Sequence, residues 1–144
     1  MSLDVTLFSV RRDSELYRYI KENRNNINWD VVYDMANSRG WYDYTNITNE
    51  TCFARNYIIF NYYKNLGSPD KTQAITNALE LEILLGLIIK SYESHETAVN
   101  LGVLSNDTEN KDRYRWDLVR TEDIIRDLLE KIDYEDFVYC DFSY

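Results

Sequence analysis

Few residues in this chain are of a type and spacing that carry chemistry. A single histidine, His95, lies in Glu93-Ser94-His95-Glu96, and no second histidine stands four positions away to complete the ligand pair of a zinc-hydrolase helix. Cys52 and Cys140 are separated by most of the chain and form no Cys-x-x-Cys string, so they make no zinc site, and no local signature supports a Cys-His nucleophile pair. His95 reads instead as a solvent-facing histidine at a helix end. Asp133, Glu135 and Asp136 come closest to the paired carboxylates of a Mg²⁺-assisted hydrolase. Neither they nor any other acid has an apolar sequence setting that would raise its pKa for acid-base work. The 13 Tyr and 3 Trp would suit stacking on a base, but the 4 glycines, at 40, 67, 86 and 102, form no phosphate-cradling loop. The chain therefore reads as non-catalytic, with no metal and no cofactor.

Charge says more. The 144 residues hold 16 Lys plus Arg against 25 Asp plus Glu, for a net charge of -9. Residues 1–72 contain 9 basic and 9 acidic side chains and residues 73–144 contain 7 and 16, so the whole excess lies in the second half. Nucleic-acid affinity rests on Lys and Arg displacing counterions from phosphates, so this sign predicts no direct DNA or RNA binding and favours a basic protein surface as partner. With 44% hydrophobic residues and only 1 Pro, the composition is that of one folded domain, 1–144, rather than a disordered acidic tail. The most apolar stretch, Leu79 to Ile89, carries Glu80 and Glu82 and falls short of the roughly 20 residues that span a bilayer. The opening Met1-Ser2-Leu3-Asp4-Val5 has neither a basic leader nor a long apolar run, so a cytoplasmic protein is expected. In that setting the acceptor-like strings at Asn46, Asn49 and Asn106 read as turns and caps.

Alternation of apolar and polar residues from Leu3 to Leu7 predicts a strand over 2–10 with one buried face. Leu16, Tyr17 and Ile20 then follow a helical period behind the capping residues Asp13 and Ser14. The Asn-rich 23–28 stretch breaks that helix; Trp29, Val32, Tyr33 and Ala36 begin a second, with Gly40 as its stop. Trp41 to Thr45 fits either a short strand or an aromatic loop. A third helix is predicted from a cap at Thr48 or Asn49 through Cys52, Phe53, Asn56, Ile59, Phe60 and Tyr63 to Gly67. Ser68-Pro69-Asp70 is the strongest helix start, and Pro69 to Tyr92 is predicted to be the central buried helix. Within it, Ile83 to Ile89 fits core packing better than a protein-contact face. Residues 94–112 read as a long loop. A last helix places Ile124, Ile125, Leu128, Leu129 and Ile132 inside, with Arg126 able to pair with Glu122 or Glu130, and Lys131 with Asp127. The closing run from Asp136 to Tyr144 has strand character and is a candidate partner for the first strand. The expected fold is α+β and helix-dominated, a small sheet of terminal strands on a helical core, with an all-α bundle as the alternative.

The opening Met1-Ser2-Leu3-Asp4-Val5-Thr6-Leu7, the element Asn46-Ile47-Thr48-Asn49 and the closing order of amphipathic helix then strand resemble small phage-encoded proteins. Those proteins begin M-S-L-D-V-x-L and carry N-I-T-H-N; Asn49 stands here where they have histidine. The resemblance covers the first ten and last thirty residues. It implies a mobile-element origin and brings no activity and no functional residue.

These readings converge on a non-catalytic, acidic inhibitor that occupies a basic, nucleic-acid-binding surface of a host nuclease or defence protein. The same charge layout fits an immunity protein that neutralises a toxin; a nucleotide-sequestering protein is the alternative of another class. The expected partner-binding acids are Glu122, Asp123, Asp127, Glu130, Asp133, Glu135, Asp136 and Asp141, which would steer association, with Tyr134, Tyr139 and Tyr144 adding contact area.

Overall fold

A computed structural model describes residues 4–54, 57–65, 72–105 and 113–143. The fold is a helix-dominated α+β arrangement. Its centre is a four-stranded antiparallel sheet in the order β4 (Ile47–Ala54), β1 (Asp4–Val10), β6 (Phe137–Ser143), β5 (Gln73–Asn77), in which the N-terminal strand β1 pairs with the C-terminal strand β6. Asp4 stands opposite Ser143 and Ser9 opposite Val138. The all-α alternative is thereby excluded: the terminal runs are the two inner strands of the sheet.

Both faces of the sheet are covered. Val5, Leu7, Val138, Cys140 and Phe142 point into one core with α3 (Ile58–Asn65), α4 (Ala78–Ser91) and α6 (Tyr114–Lys131). Phe8, Val10 and Tyr139 point the other way, into a second core with α1 (Glu15–Asn23) and α2 (Trp29–Ala36). The one-sided burial expected of the first strand is accordingly corrected. Thr6, on the face shared with Phe8 and Val10, is 6% exposed. A polar side chain on alternate positions marks a solvent face only if nothing packs there, and α1 and α2 do.

Ser14 caps α1 by accepting from the Tyr17 amide at 3.1 Å, as its type and position predict. Asn28 does the same for α2 through the Asp30 amide. Gly40 is not a helix stop. It lies with Arg39 at the tip of a hairpin between β2 (Asn37–Ser38) and β3 (Trp41–Tyr42), both residues at positive φ, 55° and 78°, as a tight two-residue hairpin turn requires. Asn46, read from sequence as a turn former, is 8% exposed: it donates to the Met35 carbonyl at 2.8 Å and accepts from the Leu16 amide at 3.3 Å, stitching α1 to α2.

Three predicted elements change type. Ile47–Ala54 is strand β4, paired with β1, rather than the first half of a helix; its Ile and Thr residues suit an extended edge. Gln73–Asn77 is strand β5, paired with β6, so the central helix begins at Ala78 with Asn77 accepting from the Glu80 amide at 2.9 Å. Ser68-Pro69-Asp70 lies outside the described residues. Within 94–112, predicted as loop, a short α5 (His95–Asn100) is capped by Ser94 and closed by Gly102 at φ 78°, whose neighbour Val103 donates back to Ala98 at 3.0 Å. Among the described residues no helix is long and apolar enough to cross a membrane.

Candidate functional site

The eight predicted acids fall into three places. Asp133, Glu135 and Asp136 form the turn between α6 and β6, which closes on itself through the Glu135 amide to Asp133 at 2.9 Å and the Asp133 amide to Asp136 at 2.9 Å. Arg12, just past β1, inserts its guanidinium among them. It donates from Nε to Asp136 at 2.7 Å, contacts Asp133, and lies 3.5 Å from Glu135. The Glu135 amide and Arg12 hold the Asp133 carboxyl below its usual range, and Arg12 is itself raised by Asp136 and Asp133. These acids brace a junction between the two ends of the chain. Their net field is reduced by the cation they enclose.

Asp141 is on the wrong face for the predicted ridge. On β6 it stands level with Thr6 and Gln73, directed toward α1 and α2, while α6 lies across the sheet. Its Oδ2 accepts from the Tyr42 hydroxyl at 2.6 Å, and burial pushes its carboxyl upward against that bond. A half-buried carboxyl in the sheet cannot steer an encounter. The alternation of side chains along β6 is the reason: Cys140 and Phe142 share the α6 side, so Asp141 cannot.

Of the eight, Glu122, Asp123, Asp127 and Glu130 are on α6 itself, which also carries Asp117 in its first turn. Leu118, Thr121, Ile125 and Leu128 are buried beneath them, and Ile124, Leu129 and Ile132 pack at the margin. Glu122 accepts from Tyr92 at 2.7 Å and from Arg126 at 2.9 Å, and both donors hold its pKa down. Asp123, Asp127 and Glu130 are exposed, and among the described residues none of them is in an ion pair. The Lys131–Asp127 pair expected from sequence is not formed. Spacings of four and three residues put the three acids on one face. Seven residues before Asp123, Trp116 shares that face, 54% exposed, with Arg120 over its ring at 4.6 Å and Arg113 at 5.6 Å.

The aromatic contacts expected to support this face are redistributed. Tyr139 is fully buried, stacked on Phe8 at 6.1 Å and donating to Gln73 at 2.8 Å, so it cannot touch a partner. Tyr144 lies outside the described residues. Tyr134 is 68% exposed and donates to Glu82 of α4 at 2.9 Å. Trp116 is the residue that sequence reasoning missed; its apolar-charged surroundings give no periodic signal, but its place seven residues before Asp123 could have been read.

Elsewhere, His95 and Cys140 are in structural use. His95 stacks edge-on with Tyr114 at 5.4 Å. The Cys140 thiol is buried, which raises its pKa and removes its reactivity. No cluster of metal-ligating side chains is present among the described residues. No protein-family model, curated protein or solved structure matches the chain.

Proposed function

We propose that this chain is a non-catalytic binding protein, an inhibitor of phage or mobile-element origin, that docks the outer face of α6 on a basic, nucleic-acid-binding surface of a host nuclease or defence protein in the cytoplasm. One observation carries the reading. Of the eight acids singled out in the sequence, Asp123, Asp127 and Glu130 stand together, exposed and outside any ion pair among the described residues, while the other five are held by internal partners. Exposed acids aligned on a rigid helix raise the rate of encounter with a basic surface. Trp116, on the same face, supplies the large amphipathic contact that such interfaces use as an anchor. The negative field that attracts a basic protein repels free nucleic acid, so the inhibitor and the nucleic acid compete for one surface.

The test begins with affinity capture from the host, followed by binding kinetics and nuclease assays on the captured protein. Wild type is compared with the Asp123→Lys, Asp127→Lys, Glu130→Lys triple variant at low and high salt. Wild type should associate faster at low salt and block nucleic-acid binding by its target; the variant should lose both properties while melting normally. Equal association rates for the two proteins at low salt would refute a docking role for this face.

A further inference from the structure

The outer face of α4 exposes aliphatic side chains in a row. Leu79, Ile83 and Ile89 are 57%, 52% and 49% exposed, and Glu82, Gly86 and Lys90 complete the same face. At its middle stands Gly86, in the interior of a 14-residue helix, where glycine destabilises relative to alanine. Among the described residues nothing requires a glycine there: a Cβ built on Gly86 meets no atom of them within 4 Å. The helix thus carries a local cost with no internal return, on a face where apolar surface is open to water. Both facts have one explanation if another backbone lies close against Gly86.

We propose that the outer face of α4 is a two-fold interface between two copies of this chain, crossing antiparallel at Gly86. Such an axis brings residue 86 + k of one copy opposite 86 − k of the other, and contacts at a two-fold are reciprocal. Ile83 then meets Ile89 of the second copy, and Glu82 meets Lys90, each contact occurring twice. Within the four residues on either side of Gly86, isoleucine faces isoleucine and the acid faces the base, so this central stretch is complementary to itself in polarity and charge; Leu79, level with Glu93 of the second copy, lies outside it. Tyr134 donates to both carboxylate oxygens of Glu82, at 2.9 and 3.1 Å, and holds it at the edge of the stripe. The face is one helix long, about 21 Å at ~1.5 Å per residue. One helix pair buries less than the roughly 1,200–2,000 Å² of a standard interface, so the dimer is reversible and dilution dissociates it. This proposal uses α4 alone and stands or falls separately from the reading of α6.

Sedimentation velocity over a dilution series, at the ionic strength where screening reaches within about 8 Å, measures it on the whole chain. Wild type should sediment as a concentration-dependent monomer–dimer mixture. Gly86→Gln, whose side chain enters open space in the monomer, should sediment as monomer throughout while retaining its helical circular dichroism. Glu82→Lys alone and Lys90→Glu alone should each shift the midpoint toward monomer by about tenfold, because like charges then face each other twice. An equimolar mixture of those two variants should recover the wild-type dimer, since each acidic copy now faces a basic one. A wild type that is monomeric at every concentration would overturn the proposal, including one that instead captures a cationic amphipathic peptide on α4. A dimer indifferent to Gly86→Gln, or a mixture that fails to recover, would equally overturn it.

Discussion

Tyr92, the residue that ends α4, donates its hydroxyl to Oε1 of Glu122 on α6 at 2.7 Å, while Arg126 takes the other oxygen at 2.9 Å. The bond fastens the end of one core helix to the outer edge of another. Together the two donors hold Glu122 below its ordinary pKa, Tyr92 being the larger influence. A carboxylate depressed in the folded state adds stability above its unfolded pKa and loses it as pH falls through the folded one. Tyr92→Phe should therefore return the Glu122 pKa toward the ordinary carboxylate range and lower the melting temperature at neutral pH. The gap should close on acidification. Carboxyl-detected NMR titration checks the first expectation; identical Glu122 titrations in both proteins would contradict it.

Asp141 has the opposite sign. Burial raises its carboxyl above the ordinary value, with the Tyr42 hydrogen bond opposing only in part. The folded state binds this proton more tightly than the unfolded one, so ionised Asp141 costs stability above its folded pKa, and the cost disappears as pH falls through that value. Asp141→Asn keeps an acceptor for Tyr42 and removes the charge. The variant should melt higher than wild type at neutral pH, with the difference shrinking toward acid. Thermal melts at a series of pH values decide it, and a variant less stable at neutral pH would show that the charge itself is needed.

The two sides of α4 should respond differently to truncation. Leu84 is fully buried against the sheet, so Leu84→Ala should destabilise by about 2–5 kcal/mol. Leu79, more than half exposed on the same helix, should lose only about 0.5 kcal/mol on the same change when measured on dilute monomer. Urea unfolding midpoints test both. Equal losses would place Leu79 in the core.

Arg39 occupies the left-handed region at φ 55°, beside Gly40 at 78°. Asparagine tolerates that conformation through local hydrogen bonding, and Asn-Gly is the preferred pair for such a hairpin tip. Arg39→Asn should raise stability by about 0.5–1 kcal/mol without other change. A calorimetric melting temperature at or below that of wild type would count against the turn.

The terminal strands, α1 with its Ser14 cap, the stop at the Asn-rich stretch, and the inner stripe of α6 from Ile125 to Leu128 are all legible in the order of residues. Each is a local pattern: a period, a cap or a β-branched run. Equally legible are the excess of acids over bases in the second half and the lack of any histidine or cysteine motif. Strands β4 and β5 depend on long-range pairing. Their apolar residues fit a helix as well as a strand, and only the open edges of β1 and β6 make the extended form pay. Long-range contacts also select which acids stay unpaired. Arg12 lies more than a hundred residues from the turn whose acids it pairs with, and no local rule links them. Asp141 was carried to the opposite face of the sheet by the two-residue alternation of β6, once Cys140 and Phe142 had taken the α6 side. The aliphatic run Ile83–Ile89 was divided in the same way. Packing buried Leu84 and Ile88 and left Ile83 and Ile89 in water, because a helix resting on a sheet has only one side against it.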